Sequence, residues 1–206
     1  MIKGYKTLIL DMYGVIIEES KGNFIPYTYS HFSESEHERL ARLFKQEQLF
    51  TKAGNGEIGH CEFLQTLGYD DCESTMKDYI ENHLTLDKGF IRFAESVKNK
   101  YELVLLSNDI AEWSEYITAY YGIEKYFSHK IISANVKCRK PSLEIFDKTL
   151  EIIKRSPAEC IFVDNSTKNL HSAEEVGMST VLFNRDNEHF DGAEVYSFDE
   201  LYRLIG

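Results

Sequence analysis

The chain has no apolar stretch approaching the ~20 residues that span a bilayer as a helix, which argues against a membrane-embedded protein. It is also short of positive charge. Twenty-three Lys and Arg stand against 34 Asp and Glu, giving a net charge of −11 that repels nucleic acid and anionic membrane surfaces. The densest basic stretch holds only Lys137, Arg139 and Lys140, too few to line a groove. Cysteine is scarce and scattered: Cys61, Cys72, Cys138 and Cys160 form neither a CxxC pair nor a secreted-type framework. They read as reduced thiols, and the expected location is cytoplasmic, because Met1 leads within a few residues into a predicted strand and leaves no room for a signal peptide. The seven histidines contain no HExxH or similar pairing and are read as surface or capped residues, none of them catalytic. No internal repeat or low-complexity tract occurs.

What is present is core-forming material. At 206 residues, 43% apolar and 13% aromatic, the chain supports one sizeable core, or a core carrying a smaller insert. From Tyr101 onward short apolar runs alternate with helical spacing. Leu103 to Leu106 reads as a strand, followed by Ile110, Trp113 and Ile117 on one helical face. Ile131-Ile132, then a helix starting after Pro141-Ser142 and carrying Phe146, Leu150 and Ile153, then the strand Cys160 to Val163, repeat the pattern. A helix with Leu170, Ala173 and Val176 stops at Gly177, and Thr180 to Phe183 forms a further strand. Such alternation predicts an α/β fold: a parallel sheet with helices on both faces.

Residues 24–84 break the rhythm, being helical in pattern and charged. Ser33-Glu34-Ser35-Glu36 fits a capping box ahead of Leu40, Leu43 and Phe44. The polar stretch 51–59 separates that helix from another with Phe63, Leu64 and Leu67. The expected organisation is a core from residues 1–20 and 85–206, with a helical insert at 21–84. Glu18, Glu19 and the loop Gly54-Asn55-Gly56-Glu57 are the candidates for facing a site from the insert's side.

The run Thr7-Leu8-Ile9-Leu10 ends on Asp11 and turns at Gly14, placing a carboxylate at the carboxyl end of a buried strand, where α/β sheets bind ligands. Ser107, Lys140 and Asp164 recur in similar strand-end or loop settings. Each has a mundane explanation as a turn former, helix cap or solvated loop. Together, two carboxylates, a hydroxyl and an ammonium on one sheet edge suit displacement by a carboxylate nucleophile. Two carboxylates from different strands can hold Mg²⁺, and Ser107 with neighbouring N–H groups and Lys140 can hold phosphate oxygens.

The arrangement resembles the haloacid dehalogenase-like hydrolases over nearly the whole chain. Asp11-Met12-Tyr13-Gly14-Val15 is similar to their first motif, Leu105-Leu106-Ser107-Asn108 to the second, Lys140-Pro141 with Glu144-Ile145-Phe146 to the third, and Phe162-Val163-Asp164-Asn165-Ser166 with Asn169 to the fourth. The resemblance implies a Rossmann-like core with an inserted helical cap. It also implies Asp11 as nucleophile, Ser107, Asn108 and Lys140 as phosphate-binding residues, and Mg²⁺ held by Asp11, Asp164 and the carbonyl of Tyr13. The implied activity is Mg²⁺-dependent hydrolysis of a small phosphorylated metabolite through an aspartyl-phosphate.

Two positions depart from the phosphatase pattern. Tyr13 stands where the phosphatases carry an aspartate that protonates the leaving alcohol, and Asn165 where they frequently carry a second acid; Asn165 and Asn169 are expected to support the site from behind. Tyrosine at residue 13 is a feature of the superfamily's metal-independent 2-haloacid dehalogenases, which makes dehalogenation the alternative reading. Asp164, Phe146 in place of a tyrosine, and the lack of an arginine shortly after Val15 favour the phosphatase. A third reading, binding of a phosphorylated ligand with little turnover, is permitted by Tyr13 but does not require the carboxylate nucleophile.

Overall fold

The computed structural model describes residues 4–206. Six parallel strands form one sheet: β1 (Thr7–Leu10), β2 (Glu102–Ser107), β3 (His129–Ile132), β4 (Cys160–Asp164), β5 (Ser179–Phe183) and β6 (Ala193–Val195), in the order β3-β2-β1-β4-β5-β6. The order turns back on itself between β1 and β4, so the chain leaves neighbouring strands in opposite directions there and opens a crevice at their carboxyl ends.

Eleven helices accompany the sheet among the described residues. Five fall between residues 24 and 83: α1 (Phe24–His31), α2 (His37–Lys45), α3 (Leu49–Gly54), α4 (His60–Leu67) and α5 (Cys72–His83). The others are α6 (Phe90–Val97), α7 (Ala111–Tyr120), α8 (Ser133–Val136), α9 (Leu143–Ile153), α10 (Thr167–Glu175) and α11 (Phe198–Ile205).

The strands are apolar throughout because both faces are covered, and alternate residues feed different cores. Leu8, Leu10, Leu103, Leu105, Ile161 and Val163 join the larger core with α1–α7 and α11. Ile9, Val104, Leu106 and Phe162 join the smaller one with Ile145 and Phe146 of α9 and Leu170 of α10. The first five helices bury an aromatic cluster against α7: the rings of Phe24, Tyr79 and Phe63 lie 4.8, 5.3 and 5.8 Å from that of Trp113. Where the chain leaves the sheet for these helices and where it returns, the two segments run side by side. Glu18 N–H donates to Thr85 O (2.9 Å) and Asp87 N–H to Ile16 O (2.9 Å). Arg185 reaches across from the end of β5, bonding Gly14 O (3.0 Å) and Val15 O (3.3 Å) and pairing with Asp87.

Two local expectations are corrected. The capping box at Ser33 does not form: Ser33 Oγ contacts Ser35 Oγ (2.8 Å), Glu36 pairs with Arg39 (2.7 Å), and α2 begins only at His37. Nor are all four cysteines separate thiols. Cys61 and Cys72 are joined as a disulfide, because the amino ends of α4 and α5 converge, a proximity that a spacing of 11 residues does not reveal. Cys138 and Cys160 remain free and buried. No helix among the described residues is long and apolar enough to cross a membrane.

Candidate active site

Parallel registry determines the centre of the site. Leu10 pairs with Val163 across the β1–β4 boundary and with Leu105 across β1–β2, and Asp11 N–H donates to Val163 O (3.0 Å). The next residues of each strand, Asp11, Asp164 and Leu106-Ser107, therefore emerge together at the crevice. Lys140, from the loop before α9, reaches in between them. Its Nζ lies 2.6 Å from Asp11 Oδ1, 2.7 Å from Asp164 Oδ2 and 2.9 Å from Leu106 O, so its three N–H donors are all used.

All four predicted residues are buried, Asp164 and Ser107 completely. Burial, and then the nearby Asp164 charge, raise the Asp11 carboxyl above the usual carboxylate range; Lys140 opposes this. Burial alone would lower the Lys140 ammonium, but the Asp11 and Asp164 charges outweigh it and hold the cation. Asp164 is fixed from behind by Ser166 N–H (2.8 Å to Oδ1) and by Asn169 Nδ2 (3.0 Å to Oδ2). Asn108 exchanges two hydrogen bonds with the Lys140 backbone, each 2.8 Å, locking the second and third motifs together. Asn165 turns toward Asp186 (3.0 Å), a residue not expected from the sequence. It also fixes residue 14 as glycine: with φ at +83°, a Cβ there would lie 2.4 Å from Asn165 Nδ2.

Two unused polar atoms test which group the residues fit. Ser107 Oγ is buried with no hydrogen-bond partner among the described residues, and the Tyr13 carbonyl accepts no hydrogen bond there. An orphaned buried hydroxyl is costly unless a ligand oxygen completes it. The donor set of two carboxylates and a carbonyl, all hard oxygens with one lysine against two negative charges, fits Mg²⁺, which takes few protein ligands and keeps waters.

Tyr13 does not replace the missing acid. Its hydroxyl donates to Asp109 Oδ2 (3.2 Å), and burial, with the Asp109 charge, raises the phenol well above its ordinary value. Asp109 is itself buried, accepting from Ser114 Oγ (2.6 Å) and Ile110 N–H (2.8 Å), and burial pushes its carboxyl up to about 7 despite those bonds. Its partnership with Tyr13, 96 residues away in the chain, was not apparent in the sequence.

Above the centre lies a cleft of about 350 Å³, a volume suited to a small ligand. Its outer wall carries Lys21, Phe50, Tyr79 and Arg139. The expected contacts from Glu18, Glu19 and Gly54 to Glu57 are corrected: none lines this cleft. Glu19 accepts from Thr85 N–H (2.8 Å), while Gly54 and Gly56 offer their carbonyls to the side chains of Ser133 and Lys137.

Comparison with known proteins gives a family. The model of the haloacid dehalogenase-like hydrolases matches residues 5–177. The chain belongs to that family. It is 24% identical over 187 residues, 85% of this chain and 90% of the relative, to D-ribitol-5-phosphate phosphatase of Bacteroides thetaiotaomicron. Identity is 28% over 114 residues, half of each chain, to glyceraldehyde 3-phosphate phosphatase of Methanothermobacter thermautotrophicus. A haloacid dehalogenase family enzyme of Bacteroides thetaiotaomicron, crystallised with magnesium and inorganic phosphate, superimposes with a TM-score of 0.75 at 23% identity, over 91% of this chain and 98% of its own.

Proposed function

We propose that this hydrolase is a Mg²⁺-dependent phosphatase of small phosphorylated metabolites, acting through a phosphoaspartate at Asp11. The observation that carries the reading is the pairing of buried Asp11 and Asp164 on one lysine beside the unsatisfied Ser107 hydroxyl. The two relatives above bear the names of phosphatases of D-ribitol-5-phosphate and glyceraldehyde 3-phosphate, which supports it.

Asp11, Asp164 and the Tyr13 carbonyl would hold the cation. When bound, it neutralises charge between the carboxylate nucleophile and the anionic phosphoryl group. The chain's own residues do the rest. An oxygen of Asp11 forms a bond to phosphorus as the bond to the leaving oxygen breaks. Ser107 Oγ–H donates to a phosphoryl oxygen. Lys140 holds Asp11 and Asp164 apart at fixed distances, and Asn169 with Ser166 N–H keep Asp164 from rotating. Water then cleaves the acyl phosphate and regenerates Asp11. We read residues 21–84 as a cap over a core of residues 1–20 and 85–206: Phe50 and Tyr79 overhang the cleft, and the paired segments at 16–18 and 85–87 tether them to the sheet.

Tyr13 favours the second reading, a 2-haloacid dehalogenase; completely buried Asp164, which such metal-free chemistry does not need, opposes it. The deciding experiment offers alkyl, aryl and acyl phosphates and 2-haloacids, each with Mg²⁺ and with chelator. Phosphate release only with Mg²⁺ is the expected outcome. Halide release in chelator without phosphatase activity replaces the reading by the dehalogenase.

A further inference from the structure

A second cluster of ligating side chains lies outside the catalytic cleft. His60 and Cys61 open the first turn of α4, and Cys72 and Glu73 open that of α5, whose start is fixed by Asp71 Oδ1 accepting from Ser74 N–H (2.9 Å). One ligand atom from each of the four lies within 4.8 Å of all the others. The Cα atoms of Cys61 and Cys72 are 5.1 Å apart. His60 is buried at the centre: Nε2 stands 3.0 Å from Glu73 Oε1 and 3.3 Å from Cys61 Sγ. Its other nitrogen, Nδ1, is buried without a well-directed hydrogen bond, with Glu112 Oε1 of α7 at 3.3 Å.

We propose that, with its two thiols reduced, this cluster binds Zn²⁺ through Cys61, Cys72, His60 Nε2 and Glu73, with Glu112 orienting His60 through Nδ1. Two thiolates, an imidazole and a carboxylate form a donor set that zinc takes tetrahedrally and that Mg²⁺, a hard cation preferring oxygen, does not. Ligands bound at ~2.0–2.3 Å in a tetrahedron lie ~3.3–3.8 Å apart, close to the spacing that Nε2 already has to Sγ and Oε1. A carboxylate on the second nitrogen of a zinc-bound histidine fixes its tautomer and raises its basicity, which is the relation of Glu112 to His60. Both sulfurs sit in first turns of helices, where the peptide N–H groups favour thiolate.

The disulfide and the metal site are alternative uses of the same two sulfurs. An external dithiol supplies two electrons and two protons to convert the crosslink into two thiols and is itself oxidised to a disulfide. Zn²⁺ binding then displaces the two thiol protons. In either form the cluster joins α4 to α5; with zinc bound, His60 and Glu112 extend the tie to α7, the helix that follows Ser107 and Asn108.

The test uses the full chain, reduced with a dithiol, loaded with Zn²⁺ under nitrogen and passed through gel filtration in excess Mg²⁺. Metal is counted per chain, and Co²⁺ in place of Zn²⁺ is read for thiolate-to-cobalt charge-transfer absorption. One Zn²⁺ per reduced chain is expected, none in the oxidised chain, and retention in Asp11→Asn, which separates this site from the catalytic one. Cys61→Ser with Cys72→Ser should lose the metal, and Glu112→Gln should weaken binding by about 10- to 100-fold. The proposal fails if the reduced wild type retains no zinc, if the bound zinc survives loss of both cysteines, or if Co²⁺ gives no charge-transfer band. The cobalt spectrum of the wild type decides the matter even where a cysteine variant does not fold.

Discussion

The Lys140 ammonium stands 2.6 Å from Asp11 and also 2.7 Å from Asp164, so one buried cation serves two buried carboxylates. With both carboxylates ionised, the three side chains carry one uncompensated negative charge in a place from which water is largely excluded. Such an arrangement is poorly suited to stability alone and well suited to receiving a cation.

Asp11→Asn should therefore abolish turnover and at the same time stabilise the metal-free protein, by about 1–2 kcal/mol at pH 8. The sign follows from the raised folded-state pKa of Asp11. Folding favours its protonated form, so wild-type stability falls as pH rises from about 4, the unfolded carboxyl value, toward neutrality, and stays low above. The variant should show a shallower fall, because Asp11 no longer contributes while Asp109, also raised, still does with that sign. Thermal melts from pH 4 to 8 check this. Added Mg²⁺ should raise the wild-type melting temperature more than that of the variant.

The Tyr13 hydroxyl is committed to Asp109 and too weakly acidic to protonate a leaving oxygen. The enzyme should accordingly prefer acyl and aryl phosphates over alkyl phosphates. General acid–base help is typically worth ~10² to 10⁴ in rate, which sets the size of the alkyl deficit. Tyr13→Asp alone would place another carboxylate near Asp109 and Asp11, so its gain should be small. Combined with Asp109→Asn, it should raise kcat/KM for alkyl phosphates while leaving aryl phosphates little changed. Equal losses on both classes, with folding and Mg²⁺ binding intact, would give Tyr13 a positive catalytic role instead.

Arg139 lines the cleft with no acidic partner among the described residues, and burial lowers its pKa. A guanidinium left without a counter-charge in a substrate cleft is suited to a second anionic group on the substrate. Arg139→Ala should raise KM about 10- to 100-fold for such substrates with little change in kcat, the equivalent of one charge-assisted hydrogen bond. Arg139→Lys should recover only part of the loss. Steady-state kinetics on phosphate esters with and without a carboxylate separate this from a general binding defect.

The centre of the candidate site was legible because three of its four residues, Asp11, Ser107 and Asp164, occupy strand ends whose apolar runs are local in sequence. Asp11 and Asp164 follow four-residue buried runs, and parallel registry alone brings them together. What was illegible depends on packing between distant segments. Cys61 meets Cys72 only because two helix starts converge, and Asp109 meets Tyr13 only because α7 begins beneath β1's outgoing turn. The cleft wall was misplaced for a similar reason: the glycine loop at 54–57 looked like a binding loop, yet it is Phe50 and Tyr79, which carried no signal in the sequence, that line the cleft. At the chain's end, β6 is three residues long with Ala193 and Glu194 exposed, which leaves no apolar run to detect.

Lys140→Met tests the charge balance most directly. It removes the only cation that, among the described residues, contacts the two buried carboxylates and keeps much of the volume, so the metal-free variant should lose about 3–5 kcal/mol of stability. Turnover should fall to background because Asp11 and Asp164 lose their common anchor. In an Asp11→Asn background the same substitution should cost less, since one of the two stranded charges is already gone. That non-additivity is the signature of direct coupling between the pair. Mg²⁺ should restore part of the stability of Lys140→Met by taking over the neutralising role, without restoring activity, because it does not reproduce the lysine's bond to Leu106 O. Denaturant titrations of the four proteins, with and without Mg²⁺, measure each term. Additive costs unaffected by Mg²⁺ would mean that Lys140 matters here through packing, and that the excess negative charge is not what draws a cation to the site.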